Sequence, residues 1–283
     1  MTDDAVLVGL PLFVRNIKAR TGIDMASYSE NQVRRRLAGM VRRAGVGDLS
    51  AYWAVLRADE AKLQDFVDRF TINVSEFFRD AKLFAQLREY LEEMRRTGRV
   101  QRLWSAGCSV GAEPYTLSIM TLEMRTGPGT VIEATDLDEG ALAKARRGVY
   151  HRDQLRQVEP GLLSKYFTPA GEELHQVGPQ VQERVRFRQL DLLRGPYPTD
   201  CDVALCRNVV IYFTQEAKAQ VFAAIARSLR PGGLLFIGAT ERVPNPEAIG
   251  LQSVVPFFYR KPGPDVEPPG RHSWGPNRER KVQ

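Results

Sequence analysis

The sequence predicts an α/β protein in which an open, largely parallel sheet covered by helices follows a small all-helical domain. Three observations carry this. Up to about Arg96 the apolar residues repeat at helical spacing, as in Leu63, Phe66, Val67 and Phe70. From Val100 onward, short apolar runs rich in β-branched residues alternate with helical stretches, the pattern of strands buried on both faces. The 283 residues, 43% of them hydrophobic, suffice for one large domain and one small one.

Taken in chain order, residues 1–96 read as the helical domain with a linker helix at its end. Asp48 or Ser50 is placed to cap a helix from Ala51 to Arg57. Residues 97–262 read as the sheet domain, with strands at Val100–Ser105, Val131–Asp136, Val185–Gln189, Asp202–Arg207 and Leu234–Ile237. The run from Leu229 through Pro231, Gly232 and Gly233 to Phe236 reads as helix end, turn and next strand. Pro160, Gly161, Pro169, Gly171, Gly178 and Pro179 interrupt any long helix between Tyr150 and Val185, so an inserted substructure is expected at about 150–184. Residues 263–283 have few apolar groups to bury and are expected to form a disordered tail.

Composition narrows the function classes. No run reaches the roughly 18 apolar residues of a membrane span, and Ala5–Val14 follows two acids rather than a basic segment, so a cytoplasmic protein outside the membrane is expected. Cys108, Cys201 and Cys206 lack metal-type spacing, and His151, His175 and His272 do not cluster with them, which argues against a metal. The net charge of +6 is uneven: Val33–Arg43 carries five arginines and no acid. Charge alone leaves nucleic acid, an anionic membrane and an acidic protein open as partners.

One loop draws the chemistry together. The strand ending at Trp104-Ser105 runs into Ala106-Gly107-Cys108-Ser109-Val110-Gly111, then Glu113-Pro114 in a first helical turn, where acid and proline are favoured. The glycines are read as letting backbone approach a ligand. The loop lacks both the three-glycine dinucleotide fingerprint and the lysine of a phosphate loop, so a ligand with a nucleoside end and an amino-acid end fits better. Asp136 ends the next strand, where acids accept hydrogen bonds from ribose hydroxyls. Arg207 and Asn208 end another strand, and all three should meet in one cleft beyond the strands' carboxyl ends. Read alone, each feature favours an ordinary helix-capping Asp or tight turn.

Four ordered motifs, Phe70-Thr-Ile-Asn-Val-Ser-Glu-Phe-Phe-Arg-Asp80, Trp104-Ser-Ala-Gly-Cys-Ser-Val-Gly-Ala-Glu-Pro-Tyr115, Cys206-Arg-Asn-Val-Val-Ile-Tyr-Phe213 and Gly238-Ala-Thr-Glu241, resemble the chemotaxis receptor methyltransferases, the CheR family. The resemblance spans about Leu12 to Lys261. It implies a Rossmann-like S-adenosylmethionine-dependent methyltransferase domain, with a small β-subdomain in the 150–184 insertion. It also implies that Asn73, Ser75, Arg79, Gly107, Glu113, Asp136, Asp191, Leu192, Cys206 and Arg207 line the donor site, with Arg79 and Tyr212 beside the transferring methyl. The implied acceptor is a glutamate side chain on the cytoplasmic methylation helices of a chemoreceptor, converted to a methyl ester for sensory adaptation while S-adenosylhomocysteine is released.

The implied partner gives the basic helix a role. Arg34, Arg35, Arg42 and Arg43, with Arg36 in the same stretch, would attract an acid-rich receptor helix, whereas such a run is ordinarily a wet helix face. This chain departs from the family where many members have two acids at Ala112-Glu113, threonine at Ser75 and asparagine at Asp191; a carboxylate at Asp191 cannot donate a hydrogen bond as an amide can. Ala112 and Asp191 keep open a donor-binding regulator without turnover. A nucleic-acid methylase is the other alternative, weakened because Leu205-Cys-Arg-Asn-Val-Val offers neither an amino-methylase turn nor a Pro-Cys nucleophile.

Overall fold

The structure, a computed structural model, describes residues 6–71, 75–98 and 100–263. The expected tail beyond Gly263 lies outside them. The amino-terminal helices are α1 (Leu10–Thr21), α2 (Glu30–Ala44), α3 (Leu49–Ala58) and α4 (Glu60–Thr71). Asp48, not Ser50, starts α3: its carboxylate accepts the Ala51 N–H at 2.8 Å. Phe13, Ile17, Leu37, Val41, Leu56 and Phe66 form this domain's buried core, each helix contributing its apolar stripe.

The next helix, α5 (Ala81–Thr97), corrects the boundary expected at residue 96. Its Phe84, Leu87 and Leu91 pack with Leu103, Leu205 and Phe236 of the sheet rather than with the helical domain. Helical spacing identifies the helix, but only packing says which core it joins.

In the sheet domain β1 (Arg102–Ala106), α6 (Ala112–Glu123), β2 (Val131–Asp136) and α7 (Glu139–Arg147) form the first units. An insertion follows, comprising β3 (Val149–His151), α8 (Pro160–Tyr166), β4 (Phe167–Pro169), β5 (Leu174–Val177) and α9 (Pro179–Gln182). Its strands pair in the order β3-β5-β4, a small sheet separate from the main one, of the kind that the family resemblance implies for this insertion. The main chain resumes with β6 (Val185–Gln189), β7 (Cys201–Cys206), α10 (Gln215–Ser228), β8 (Leu229–Ile237), β9 (Gln252–Val255) and β10 (Phe258–Arg260).

The large sheet runs β6-β2-β1-β7-β8-β10-β9, parallel through β8. The antiparallel β10 and β9 extend one side. Those two are absent from the expected strands because they are short and partly polar. The expected start of β8 at Leu234 is also corrected: Leu229 already pairs with Cys201, and the register shifts before Val203 pairs with Leu234. Pro231–Gly233 is therefore a bulge inside the strand, not a turn before it. Strand β1 lies between β2 and β7, so the order reverses there and a crevice opens at the carboxyl ends.

Candidate functional site

The loop after β1 is built around the end of β2. The Gly107 and Cys108 N–H groups donate to the Thr135 carbonyl at 2.8 and 2.9 Å. Gly107 has φ +74°, and a Cβ there would lie 2.4 Å from Val209 Cγ2. Glycine is thus required by the chain's own packing against the loop after β7, which corrects its reading as a gap left for a ligand. Gly107 still borders the cleft.

Asp136 and Glu113 supply acid at two points of this cleft. Asp136 accepts the Ser109 N–H at 2.7 Å and the Asp138 N–H at 3.0 Å. Burial nevertheless pushes its carboxyl up to about 6, against the pull of those N–H groups. Glu113, in the first turn of α6, accepts from the Ser105 hydroxyl at 2.7 Å and from Arg207 at 3.3 Å. Burial raises its pKa too, with the Arg207 charge opposing.

Arg207, at the end of β7, is 2% exposed in its side chain. It donates to the Arg79 carbonyl at 2.9 Å and to Asp80 at 2.6 Å, and its guanidinium lies 4.6 Å from the Phe236 ring centroid. Its Nε is buried without a hydrogen-bond acceptor. Arg79, partly exposed, borders the cleft from a turn in which Phe78 and Asp80 have φ of 53° and 63°.

Ser75, Asp191 and Leu192 also border the cleft. Asp191 accepts the Leu193 N–H at 2.8 Å and pairs with Arg194 at 3.4 Å, so its carboxylate acts as an acceptor in its own turn. Asn73 lies outside the described residues. Cys206 is a correction: its side chain is fully buried in the core beside Trp104 and Ile237 and does not border the cleft. The strand's alternation turns Cys206 into the core and its neighbour Arg207 toward the site.

The helical domain closes the other wall. Tyr28 bridges antiparallel to Phe213, the Ser29 N–H donates to the Tyr212 carbonyl at 2.8 Å, and the Thr214 N–H donates to the Ser27 carbonyl at 2.9 Å. Gln64 and Thr71 bond the Asp138 carboxylate at 3.0 and 3.2 Å, and Lys144 pairs with Asp68. Tyr212 borders the cleft, and the Arg36 guanidinium lies 4.1 Å from its ring centroid while bonding the Phe70 carbonyl. The four arginines singled out for the substrate stand elsewhere: Arg34, Arg35, Arg42 and Arg43 do not border the cleft, and of that stretch only Arg36 does. The first four form an exposed or half-exposed flank of α2.

Sequence reasoning also missed what Glu241 does. It is 4% exposed and accepts four backbone N–H groups, those of Asn208 and Gly238 at 2.8 Å and of Val209 and Val210 at 3.1 Å. Asn208 has φ 60°, so three successive N–H groups curl into an anion nest beneath the Tyr212 segment. The motif Gly238–Glu241 carried the signal, an acid after a strand end, but three of its four partners are 31 to 33 residues away.

Ribose hydroxyls, an ammonium and a carboxylate each meet suitable chemistry here: the acids Glu113 and Asp136, buried guanidinium nitrogens without an acceptor on Arg36 and Arg207, and apolar walls from Leu192, Val209 and Phe213. Among the described residues no histidine borders the cleft and no group of metal ligands is present. Fold and cleft define an S-adenosylmethionine-dependent methyltransferase. Residues 73–254 match the CheR methyltransferase SAM binding domain and residues 9–71 the CheR methyltransferase all-alpha domain, and the chain belongs to the CheR methyltransferase family.

The chemotaxis protein methyltransferase of Listeria monocytogenes is 37% identical over 254 residues, covering 88% of this chain and 95% of its own length. That of Salmonella typhimurium is 34% identical over 238 residues, covering 81% and 82%. The Escherichia coli enzyme is 34% identical over 234 residues, covering 80% and 81%. No described helix is long and apolar enough to cross a membrane.

Proposed function

We propose that this methyltransferase esterifies glutamate side chains on the cytoplasmic methylation helices of chemoreceptors. The observation that carries the reading is a cleft in which Arg79 and Tyr212 stand beside the donor acids while no described histidine does. A hydroxyl or thiol acceptor needs a base, but a glutamate of ordinary pKa is already ionised at neutral pH. S-adenosylmethionine, when bound, supplies an electrophilic methyl. The chain's task is then placement: Arg79 orients the acceptor carboxylate, Tyr212 walls its path, and the helical domain excludes water that would hold the carboxylate solvated.

In this reading Asp136 accepts the ribose hydroxyls and Glu113 faces the donor's ammonium, with Ser75, Gly107, Asp191 and Leu192 bordering the rest. Asp136 makes donor binding pH-dependent. Its folded pKa, about 6, lies above the ordinary 3.8, so its contribution to stability is complete below 3.8 and is lost as pH rises through 6. Hydroxyls that donate to the carboxylate favour its ionised form, so binding releases a proton and affinity should rise up to about pH 6, then level. Burial raises Glu113 too, so pairing with an ammonium there should change donor affinity with pH in the same direction. Calorimetry across this range should show the step, reduced in Asp136→Asn; an unchanged step there would remove Asp136 from the donor site.

The arginine flank of α2 is assigned to attracting the acid-rich receptor helix, with Arg36 alone reaching the cleft. Steering of this kind should lower kcat/KM for receptor about tenfold between low and physiological ionic strength. A flat salt profile would refute it. The function itself is tested by incubating the protein with labelled donor and receptor-bearing membranes, then measuring base-labile methanol release. Absence of release despite donor binding would leave a regulator without turnover, and transfer to duplex DNA a nucleic-acid methylase.

A further inference from the structure

Asp80 stands at the N-cap of α5, where an aspartate ordinarily accepts N–H groups of its own helix. It makes no such bond. Its carboxylate turns instead to Arg207, and its backbone sits at φ 63°, a conformation that costs a residue with a side chain energy unless the surroundings hold it. An acid that forgoes its own cap and accepts strain to reach a distant arginine has a function in that contact.

The distances indicate which function. Arg207 is buried and has two carboxylates, Asp80 at 2.6 Å and Glu113 at 3.3 Å. The nearer partner is the more exposed one, 40% against 14%. A buried guanidinium left alone with a buried carboxylate closes to a short, often two-pronged pair. Here Asp80 takes the shorter contact, and Glu113 meets Arg207 through one nitrogen at 3.3 Å while its other oxygen accepts only the neutral Ser105 hydroxyl at 2.7 Å, so its charge is less fully matched than in such a pair. The nitrogen that Asp80 engages also donates to the Arg79 carbonyl at 2.9 Å, so the same contact fixes the turn that carries Arg79.

We propose that Asp80 is a positioning residue that keeps Glu113 available to the ammonium of the donor by dividing the charge of Arg207. This rests on the assignment of Glu113 to that ammonium made above. The effect belongs to the amino-acid end of the donor and spares the nucleoside end, which separates it from a general role in folding.

The test compares two ligands by calorimetry on the full chain: S-adenosylhomocysteine, which has the amino-acid end, and 5′-methylthioadenosine, which lacks it. Two variants remove the carboxylate, Asp80→Asn and Asp80→Gly; glycine adopts the positive φ freely and is tolerated at a cap, so the second keeps the turn without the charge. Both should weaken S-adenosylhomocysteine about tenfold or more, the loss expected of a charged hydrogen bond, with 5′-methylthioadenosine binding unchanged. Asp80→Glu should recover most of the loss. Unchanged S-adenosylhomocysteine binding, or equal losses for both ligands, would overturn the proposal. A Glu113→Gln variant that binds S-adenosylhomocysteine as tightly as the wild type would instead overturn the assignment of Glu113 beneath it.

Discussion

Alanine in place of Glu241 is expected to lower the melting temperature by about 10 °C and to cut turnover with it. Four backbone N–H groups converge on this carboxylate, and two of them, from Val209 and Val210, share a single oxygen. Removing it leaves several buried donors without acceptors at about 1–3 kcal/mol each, partly offset by any water that enters, for a net cost of about 3–5 kcal/mol. The nest they form leads directly into Tyr212, so the loop that carries this ring loses its anchor. Glu241→Gln should fall between, because its oxygen still serves one pair of N–H groups while its amide opposes the other. Thermal melts of the three proteins decide this; a Glu241→Ala protein melting with the wild type would show that the nest is sustained without its anion.

Arg79→Ala should slow methyl transfer about 100-fold while leaving the melting temperature nearly unchanged. The two effects separate because the side chain is partly exposed and lines the cleft, whereas the backbone of its turn is held through its own carbonyl by Arg207. What alanine removes is the charge and fork geometry that orient the acceptor carboxylate. Arg79→Lys should recover only part of the rate, since an ammonium retains the charge but not the planar fork. Rates are read as labelled methyl transferred to a receptor fragment at saturating donor, with melts alongside. A wild-type rate in Arg79→Ala would exclude the residue from the proposed mechanism.

The sequence by itself determined the class of fold, the β1 loop, the acids Glu113 and Asp136, and the family, because each rests on local periodicity, on turn chemistry or on contiguous motifs. It also located Arg207, Tyr212 and Glu241 within motifs. Tertiary structure alone decided what they meet. The Glu241 carboxylate faces Asn208, Arg207 divides its charge between Asp80 and Glu113, and Arg36 rather than its neighbours lies over Tyr212. It also decided that Gly107 makes room for Val209, that Cys206 belongs to the core, and that α5 packs with the sheet. The physical reason is the same throughout: spacing along a chain sets which side of its own element a residue takes, but its partner comes from an element far away in sequence, brought there by the strand order of the sheet and the packing of helices around it.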